Sequence, residues 1–259
     1  MSKISSNKAD TTGKDLLIGI RPLIEAIQAG REIDKIFIQK GLRGENFQEL
    51  WNLIKEGDFQ VAHVPVQKLN RISRKNHQGV IAFTAAVTFQ NLGNIIADTF
   101  EKGETPFFLI LDRVTDVRNF GAICRTAHAC GVHAVIIPMR GSAPVNEDAL
   151  KTSAGALNYL PVCREPNLKK TMEFLADSGI KIVGCTEKGE DELYDVKMNL
   201  PLALVMGSEE DGISPEYQKR CHNLAKLPMF GEVGSLNVSV AAGAFMYEAI
   251  RQRRDLPLG

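Results

Sequence analysis

Short runs of almost entirely apolar residues alternate with helical patterns through the second half of the chain, and this alternation limits the fold more than any other feature. The runs are FFLILD (107 to 112), HAVIIP (133 to 138), KIVGCT (181 to 186) and PLALVMG (201 to 207). Near-continuous apolar strands separated by helices are typical of a parallel sheet that is covered on both faces. We therefore predict an α/β domain with a parallel sheet in this half.

The first part of the chain has a similar but smaller α/β pattern, with strands predicted at KIFIQ, QVAHV and GVIAFT. The stretch after it turns polar and less regular, which favours a linker or a short connecting helix between two domains. We divide the chain into a flexible tail (1–14), a small α/β domain (15–88), a linker (89–105) and the larger α/β domain (106–259). Neither a secretory leader nor a run of roughly 18 apolar residues is found, so we expect a cytoplasmic protein outside the membrane.

The net charge is zero, but positive charge is concentrated at the beginning of the chain. Residues 1–88 hold 13 Lys and Arg against 9 Asp and Glu, and the remainder holds 18 against 22. One basic cluster consists of Arg71, Arg74 and Lys75, followed by Asn76 and His77, and a second consists of Arg251, Arg253 and Arg254. Such clusters are typical of solvated faces. A polyanionic partner is the alternative, and charge alone does not establish it.

Cysteines and histidines give no support for a metal site. The five cysteines are odd in number and form no C-x-x-C pair, and the five histidines form no H-x-x-x-H or H-E-x-x-H pattern. The cysteines are Cys124, Cys130, Cys163, Cys185 and Cys221. We expect them to be buried, reduced thiols.

A helix of mostly small residues, RNFGAICRTAHACG, carries a single long cation in its middle. Helical geometry puts Ile123, Ala127 and Cys130 on one face and Arg125 almost opposite. In a monomer, an arginine in this position is an ordinary surface residue. A functional cation is the alternative.

Parallel α/β sheets bind ligands beyond the carboxyl ends of their strands, where this sequence has three polar or glycine-containing segments. They are DRVTDVRNFGAICR, GSEEDGIS and FGEVGSLN. None contains G-x-G-x-x-G or G-x-x-x-x-G-K-[ST], which disfavours a nicotinamide or nucleoside triphosphate enzyme. Taken singly, Gly207 and Gly212 can be turn residues, Glu209 a solvated carboxylate and Asn237 a helix cap.

Taken together, the segments NFGAICRTA, LVMGSEEDGI and LPMFGEVGSLNVSVAAG resemble the three motifs of the SpoU/TrmH family of RNA ribose 2'-O-methyltransferases, in the SPOUT superfamily. The stretches LIGIRPLIEAIQAGREIDKIFIQKG and NHQGVIAF resemble the ribosomal-protein-like substrate-binding domain of the RlmB-type subgroup, which methylates a guanosine of 23S rRNA. One residue departs from the pattern, because many relatives have glycine where this chain has Glu210.

The resemblance implies a catalytic domain with a C-terminal trefoil knot, which pairs with a second copy to form a homodimer. It implies S-adenosylmethionine as methyl donor, S-adenosylhomocysteine as product, and no metal. The catalytic residues that it implies are Asn119, Arg125, Glu209, Ser235 and Asn237. The implied cofactor-binding residues are Gly207, Ile213, Leu227, Leu236 and Asn237. The basic cluster of the first domain, Arg71, Arg74, Lys75, Asn76 and His77, is the predicted RNA contact.

The expected function is methylation of the 2'-hydroxyl of a guanosine in 23S rRNA. The alternatives are the same reaction on a tRNA guanosine or an rRNA adenosine, and a non-catalytic RNA-binding protein on the same fold. A guanidinium keeps its proton in proteins. We therefore expect Arg125 to stabilise charge and position the substrate rather than to accept the hydroxyl proton.

Overall fold

The chain divides into two compact units in a computed structural model, Met1–Ala86 and Val87–Gly259. The structure describes residues 16–57, 59–232 and 234–254. The predicted tail, residues 1–14, lies outside the described residues.

The first unit is a four-stranded sheet with helices on both faces. Its elements are β1 (Leu16–Ile18), α1 (Ile20–Gln28), β2 (Ile33–Gln39), α2 (Glu45–Glu56), β3 (Val61–Val64), α3 (Val66–Ile72) and β4 (Val80–Thr84). The strand order is β1-β4-β2-β3, and only the β2–β3 pair is parallel. Alternation along β2 separates the two faces: Ile36 and Ile38 pack under α1 and α2, whereas Phe37 packs with Leu69 of α3.

The second unit contains a seven-stranded sheet in which every described pair is parallel. Its helices are α4 (Leu92–Glu101), α5 (Val117–Ala129), α6 (Glu147–Thr152), α7 (Leu168–Asp177), α8 (Pro215–Gln218) and α9 (Val238–Arg253). Its strands are β5 (Phe107–Leu111), β6 (Ala134–Pro138), β7 (Val162–Glu165), β8 (Lys181–Cys185), β9 (Asp191–Glu192), β10 (Leu202–Met206) and β11 (Asn223–Lys226). The order is β7-β6-β5-β10-β8-β11-β9.

Helices cover both faces of this sheet, which confirms the predicted α/β domain with a parallel sheet. Along β5, Leu109 faces the core formed with α5, α6 and α9, and its neighbour Phe108 faces the core formed with α4 and α7. All five residues of β5 and all five of β10 are buried. Double-sided burial is the physical reason why these strands are continuously apolar.

The segment predicted as a linker, residues 89–105, contains helix α4 and belongs to the second unit. Asn91 caps this helix, and Leu92 and Ile96 are buried in the core beneath the sheet. The three apolar residues of α4 that face the sheet, Leu92, Ile95 and Ile96, follow a helical spacing within an otherwise polar stretch. Of the two alternatives for this stretch, the structure has the short helix, which packs in the core of the second unit.

The cysteines are free, and all but the half-buried Cys221 are buried. Burial raises the pKa of the Cys130 thiol to about 11 and that of Cys163 to about 12, so both stay protonated at neutral pH.

Across the three described ranges, no helix combines the length and the apolar character needed to cross a membrane.

Arg253 differs from the solvated residue that its basic cluster suggested, because its side chain is only 4% exposed. The guanidinium donates hydrogen bonds to the carbonyl oxygens of Met198, Thr105, Pro106 and Leu200, and it lies over the ring of Phe107 at 4.6 Å. Arg253 therefore joins the end of α9 to the loop before β10 and to the start of β5. Burial lowers its pKa to about 10, so it remains charged at neutral pH.

Replacing Arg253 by alanine is expected to lower the free energy of unfolding by about 3 kcal/mol, because several carbonyl oxygens lose their donor inside the protein. Urea denaturation of the full chain is the measurement. The exposed neighbour Arg254 provides the matched control, and Arg254→Ala should change the same quantity by less than about 0.5 kcal/mol. Equal effects of the two substitutions would contradict the structural role of Arg253.

Candidate functional site

The carboxyl ends of β5, β10 and β11 point to the same edge of the second sheet because all three strands run parallel. The loops that leave these strands are residues 112–116, 207–214 and, as far as the structure describes them, 227–232 with 234–237. They belong to the three segments in which a ligand site was predicted. Residues far apart in sequence are thus brought to one edge by the topology of the sheet.

Helix α5 is fixed at its start by a cap and at its second turn by close packing. The Asp116 carboxylate accepts hydrogen bonds from the backbone N–H groups of Arg118 and Asn119. At Gly121 a Cβ atom would come within 2.0 Å of the Thr152 hydroxyl oxygen, so only glycine allows α6 to pack this closely. These two features set the position of Asn119 in the first turn of α5.

Asn119, Glu209 and Asn237 form one hydrogen-bonded cluster, which we call the motif cluster. Glu209 Oε1 accepts from Asn119 Nδ2 at 3.0 Å and from Asn237 Nδ2 at 2.8 Å. Asn237 Nδ2 also donates to Asn119 Oδ1 at 3.0 Å. Each of the three predicted segments contributes one residue. Two amide donors therefore hold one carboxylate oxygen in a defined place.

Asn237 has a second task as the cap of α9. Its Oδ1 accepts from the backbone N–H of Ser239 at 2.9 Å and from the Ser239 hydroxyl at 2.6 Å. Its Nδ2 donates to Glu209 in the motif cluster. The two interpretations of Asn237 from the sequence, a helix cap and a site residue, therefore both describe the same side chain.

The loop that carries Glu209 begins with a tight turn. Ser208 and Gly212 exchange two backbone hydrogen bonds, at 3.1 and 3.0 Å. At Gly207 a Cβ atom would come within 2.0 Å of the Gly212 carbonyl carbon, so the turn closes only over glycine. Gly207 thus shapes the backbone from which Glu209 projects.

Asp112 and Arg113 follow β5 directly and form hydrogen bonds with this loop, a role that no sequence pattern predicted. Asp112 is buried and accepts from both the N–H and the hydroxyl of Ser214 at 2.7 Å. Arg113 donates to Asp211 and to the Gly212 carbonyl oxygen. Their place directly after a buried strand was a visible signal, but their partners lie about one hundred residues away in sequence.

Two cavities lie on the side of β8 and β10, and Glu209 of the motif cluster lines the larger one. The larger has a volume of about 290 Å³, and residues at its wall include Met206, Gly207, Ser208, Glu209, Glu210, Ser235, Leu236 and Val238. The smaller, of about 80 Å³, shares Ser235 and Leu236 and adds Leu227, Met229 and Phe245. The predicted cofactor residues Gly207, Leu227 and Leu236 therefore line these cavities. Ile213 and Asn237 line neither cavity: the Ile213 side chain is buried in the core under the sheet, and the Asn237 side chain belongs to the motif cluster.

A third cavity, of about 240 Å³, lies on the side of α5. Its wall includes Arg113, Thr115, Asp116, Asn119, Asp211 and the residues Ser208, Glu209, Glu210 and Val238 that it shares with the larger cavity. The turn that carries Glu209 therefore separates two openings.

Arg125 and Ser235 stay outside the hydrogen bonds of the motif cluster. Arg125 is exposed on α5, opposite the buried residues Ile123, Ala127 and Cys130, and it forms no ion pair with any described residue. Ser235 is exposed and lines both cavities on the β8 side. Both side chains are therefore accessible to a bound molecule.

The predicted RNA contact of the first unit is exposed at four of its five residues, Arg71, Arg74, Lys75 and Asn76. His77 differs, because it is 8% exposed and both ring nitrogens are engaged. Nδ1 accepts from the Gly79 N–H, and Nε2 lies 2.8 Å from Asn70 Oδ1. His77 orders the loop rather than presenting its ring to a partner.

Potential metal ligands do not cluster in the described part of the chain, which holds no group of three or more His, Cys, Asp or Glu side chains able to bind an ion.

Two family models match the chain, one for each unit. Residues 106–247 match the SpoU rRNA Methylase family, and residues 16–90 match the RNA 2'-O ribose methyltransferase substrate binding domain. The first match includes Asn119, Glu209 and Asn237.

Similar proteins cover nearly the whole chain. A Bacillus subtilis protein named as a TrmH family tRNA/rRNA methyltransferase is 38% identical over 242 residues, which are 93% of this chain and 97% of that protein. One from Staphylococcus haemolyticus with the same family name is 36% identical over 241 residues, again 93% and 97% of the two chains. The crystal structure of the SpoU methyltransferase AviRb from Streptomyces viridochromogenes, in complex with AdoMet, is 25% identical, with a TM-score of 0.59 and coverage of 93% of this chain and 90% of that one. These matches, together with the motif cluster, show that the chain belongs to the SpoU rRNA methylase family.

Proposed function

We propose that this protein transfers a methyl group from S-adenosylmethionine to the ribose 2'-hydroxyl of a guanosine in 23S rRNA. Its family consists of S-adenosylmethionine-dependent methyltransferases that act on tRNA or rRNA. The observation that carries the proposal is the motif cluster, in which one residue from each family motif meets the others and Glu209 lines a cavity on either side. The guanosine and the 23S target rest on the resemblance of the first unit to the RlmB-type subgroup.

The larger cavity has a chemical character that fits the methyl donor. Apolar groups from Met206, Leu236 and Val238 can receive an adenine ring, and the carboxylates of Glu209 and Glu210 complement the positive charge of a sulfonium. When bound, S-adenosylmethionine supplies an electrophilic methyl group. The AviRb structure supports this assignment, because that relative was crystallised with the same molecule.

Alignment is the main task of the protein residues, because methyl transfer is an in-line displacement between a donor and an acceptor oxygen. The two amide donors hold the Glu209 carboxylate at the turn that separates the two openings. Its position allows it to orient a ribose hydroxyl from one side. Ser235, at the cavity wall, provides a further hydroxyl for the same purpose.

Arg125 acts, in this proposal, on the charge that develops at the 2'-oxygen. A guanidinium offers donors but no acceptor, so it stabilises an oxyanion and binds a neighbouring phosphate rather than removing a proton. Its exposure and its lack of an ion pair among the described residues leave the donors open to RNA.

The first unit supports an RNA substrate. Its exposed basic residues Arg71, Arg74 and Lys75 lie on α3 and the loop after it, where they can neutralise phosphates. We infer that this loop contacts the RNA and that the protein acts in the cytoplasm, where it meets ribosomal RNA.

A second copy of the chain is the proposed partner of α9. Val240 and Tyr247, two turns apart on one face of this helix, are each 58% exposed. The same helix packs against α5 through Gly243, which lies close to Thr126. A partner on this face would therefore lie close to the helix that carries Arg125. The trefoil knot that the family resemblance implies remains a proposal for the segment leading into α9.

The proposed reaction is tested with the full chain and radiolabelled S-adenosylmethionine on unmodified 23S rRNA, 16S rRNA and bulk tRNA in parallel. Because the proposed acceptor is one ribose hydroxyl, the label should enter 23S rRNA alone and appear as 2'-O-methylguanosine after digestion to nucleosides. Label in tRNA or in adenosine would select one of the alternative substrates. Label on a base, or cofactor binding without transfer to any RNA, would contradict the proposal.

Replacing Arg125 by alanine should lower the single-turnover rate by on the order of 100- to 1000-fold, as expected for a group that stabilises transition-state charge. The stability of the protein should hardly change, since the side chain is exposed. Arg125→Lys keeps the charge without the planar fork, so a large loss there would indicate bidentate positioning.

Arg118 is the matched control for Arg125, because it is exposed on the same face of α5, two turns earlier. Arg118→Ala should keep the rate within a few-fold of the unmodified protein. A fully active Arg125→Ala protein would make this arginine an ordinary surface residue.

A further inference from the structure

Arg113 has a backbone conformation that is rare for a residue with a side chain. Its φ angle is +57°, in the left-handed region that normally favours glycine. Such a conformation persists only where the surrounding contacts determine it, and it is concentrated at functional sites. The contacts of Arg113 therefore indicate what the conformation achieves.

The Arg113 guanidinium bridges the end of β5 and the turn that carries Glu209. Nη1 donates to Asp211 Oδ2 at 2.9 Å, and Nη2 donates to the Gly212 carbonyl oxygen at 3.1 Å. Nε donates to Asp112 Oδ1 at 3.2 Å. The neighbouring carboxylates hold the pKa of Arg113 above its ordinary value, with the Asp112 hydrogen bond as the largest cause.

Asp112 strengthens this connection from the buried side. It is 2% exposed, and its second oxygen accepts from the N–H and the hydroxyl of Ser214. Together, Asp112 and Arg113 contact three residues of the loop, Asp211, Gly212 and Ser214. We call this set of contacts the β5 clamp.

The charge of the turn explains why a cation is needed there. Glu209, Glu210 and Asp211 are consecutive, so three carboxylates repel one another at the edge of the cavities. Among the described residues, Arg113 is the cation that forms an ion pair with this run. An unclamped turn would tend to separate these charges and to move Glu209 away from Asn119 and Asn237.

We propose that Arg113 is a positioning residue that acts through the β5 clamp to hold Glu209 in the motif cluster. The effect on the turn is independent of the proposed function, whereas the effect on the rate rests on it. Arg113 also borders the α5-side cavity, so its own contact with a bound molecule is an outcome that the test must separate.

The test uses three single variants of the full chain and one double variant. Arg113→Gly removes the contacts that Arg113 makes in the clamp but keeps the left-handed backbone without strain. Arg113→Lys keeps only the charge, and Asp211→Asn removes the negative charge of the ion-pair partner. The double variant Arg113→Gly with Asp211→Asn measures the coupling of the two residues. Arg118→Ala is the control arginine.

Hydrogen exchange of the segment 207–214 gives the first measurement, because it needs neither substrate nor activity. The Ser208, Gly212 and Ser214 amides are hydrogen-bonded in this turn and should exchange at least about tenfold faster in Arg113→Gly and in Asp211→Asn. The double variant should exchange no faster than the single ones. Arg113→Lys should fall between them and the unmodified protein, and Arg118→Ala should match the latter.

Single-turnover methylation and binding of S-adenosylhomocysteine give the second measurement. The maximal rate should fall by about 10- to 100-fold in Arg113→Gly and Asp211→Asn, because a small displacement of a positioning group has an effect of this order. The RNA concentration for half-maximal rate should change less than about threefold. In the double variant the loss of maximal rate should be smaller than the product of the losses in the two single variants.

Unchanged exchange of the segment 207–214 in both single variants would overturn the β5 clamp, whatever the activity. Faster exchange with an unchanged maximal rate would overturn the role of the clamp in positioning Glu209. Loss of RNA affinity in Arg113→Gly but not in Asp211→Asn would overturn the positioning role and would indicate that Arg113 contacts the RNA directly. A protein that binds no cofactor and methylates no RNA, but shows the predicted exchange, would contradict the proposed function and leave the clamp supported.

Discussion

One carboxylate oxygen, Glu209 Oε1, determines how the rest of the site is arranged. It accepts hydrogen bonds from amide groups that precede it by 90 residues and follow it by 28. Three separate loops must therefore arrive at one point, each with its side chain in the required direction. A parallel sheet meets this requirement because the carboxyl ends of its strands lie at a common edge.

Close packing and helix caps outside the motif cluster fix the three loops in place. Gly121 and Gly207 permit backbone approaches that no side chain would allow, and Asp116 and Asn237 fix the starts of two helices. At the opposite end of α9, Arg253 attaches the helix to four carbonyl groups. The cap at one end and the buried arginine at the other thus hold α9, and with it Asn237.

Sequence patterns predicted the second sheet and the three loops well, because double-sided burial leaves continuous apolar strands that are easy to recognise. They failed where one residue type has two environments. Arg253 and Arg254 are adjacent and chemically identical, yet one is buried and the other exposed. His77 was predicted to contact RNA, but its ring is buried and its hydrogen bonds order a loop of the first unit. Only the packing of distant segments decides such cases.

The motif cluster shows the same limit at the level of the site. The family resemblance named Asn119, Glu209 and Asn237 as site residues, but neither motif nor spacing indicated that they bind one another. Asp112 and Arg113 were missed because their partners lie 98 to 102 residues away. A strand end can be read from sequence, whereas the loop that it contacts depends on the strand order.

The hydrogen bond between Asn237 and Glu209 is the most direct test of this account. Asn237→Asp keeps the helix cap but replaces an amide donor with a second carboxylate, and Glu209→Gln makes the complementary exchange. Single-turnover methylation should fall about 100-fold in each single variant, and the double variant should be at least about tenfold faster than Asn237→Asp, since a donor and an acceptor again face each other. Independent, additive losses would show that the two side chains do not act as one unit, and would contradict the account.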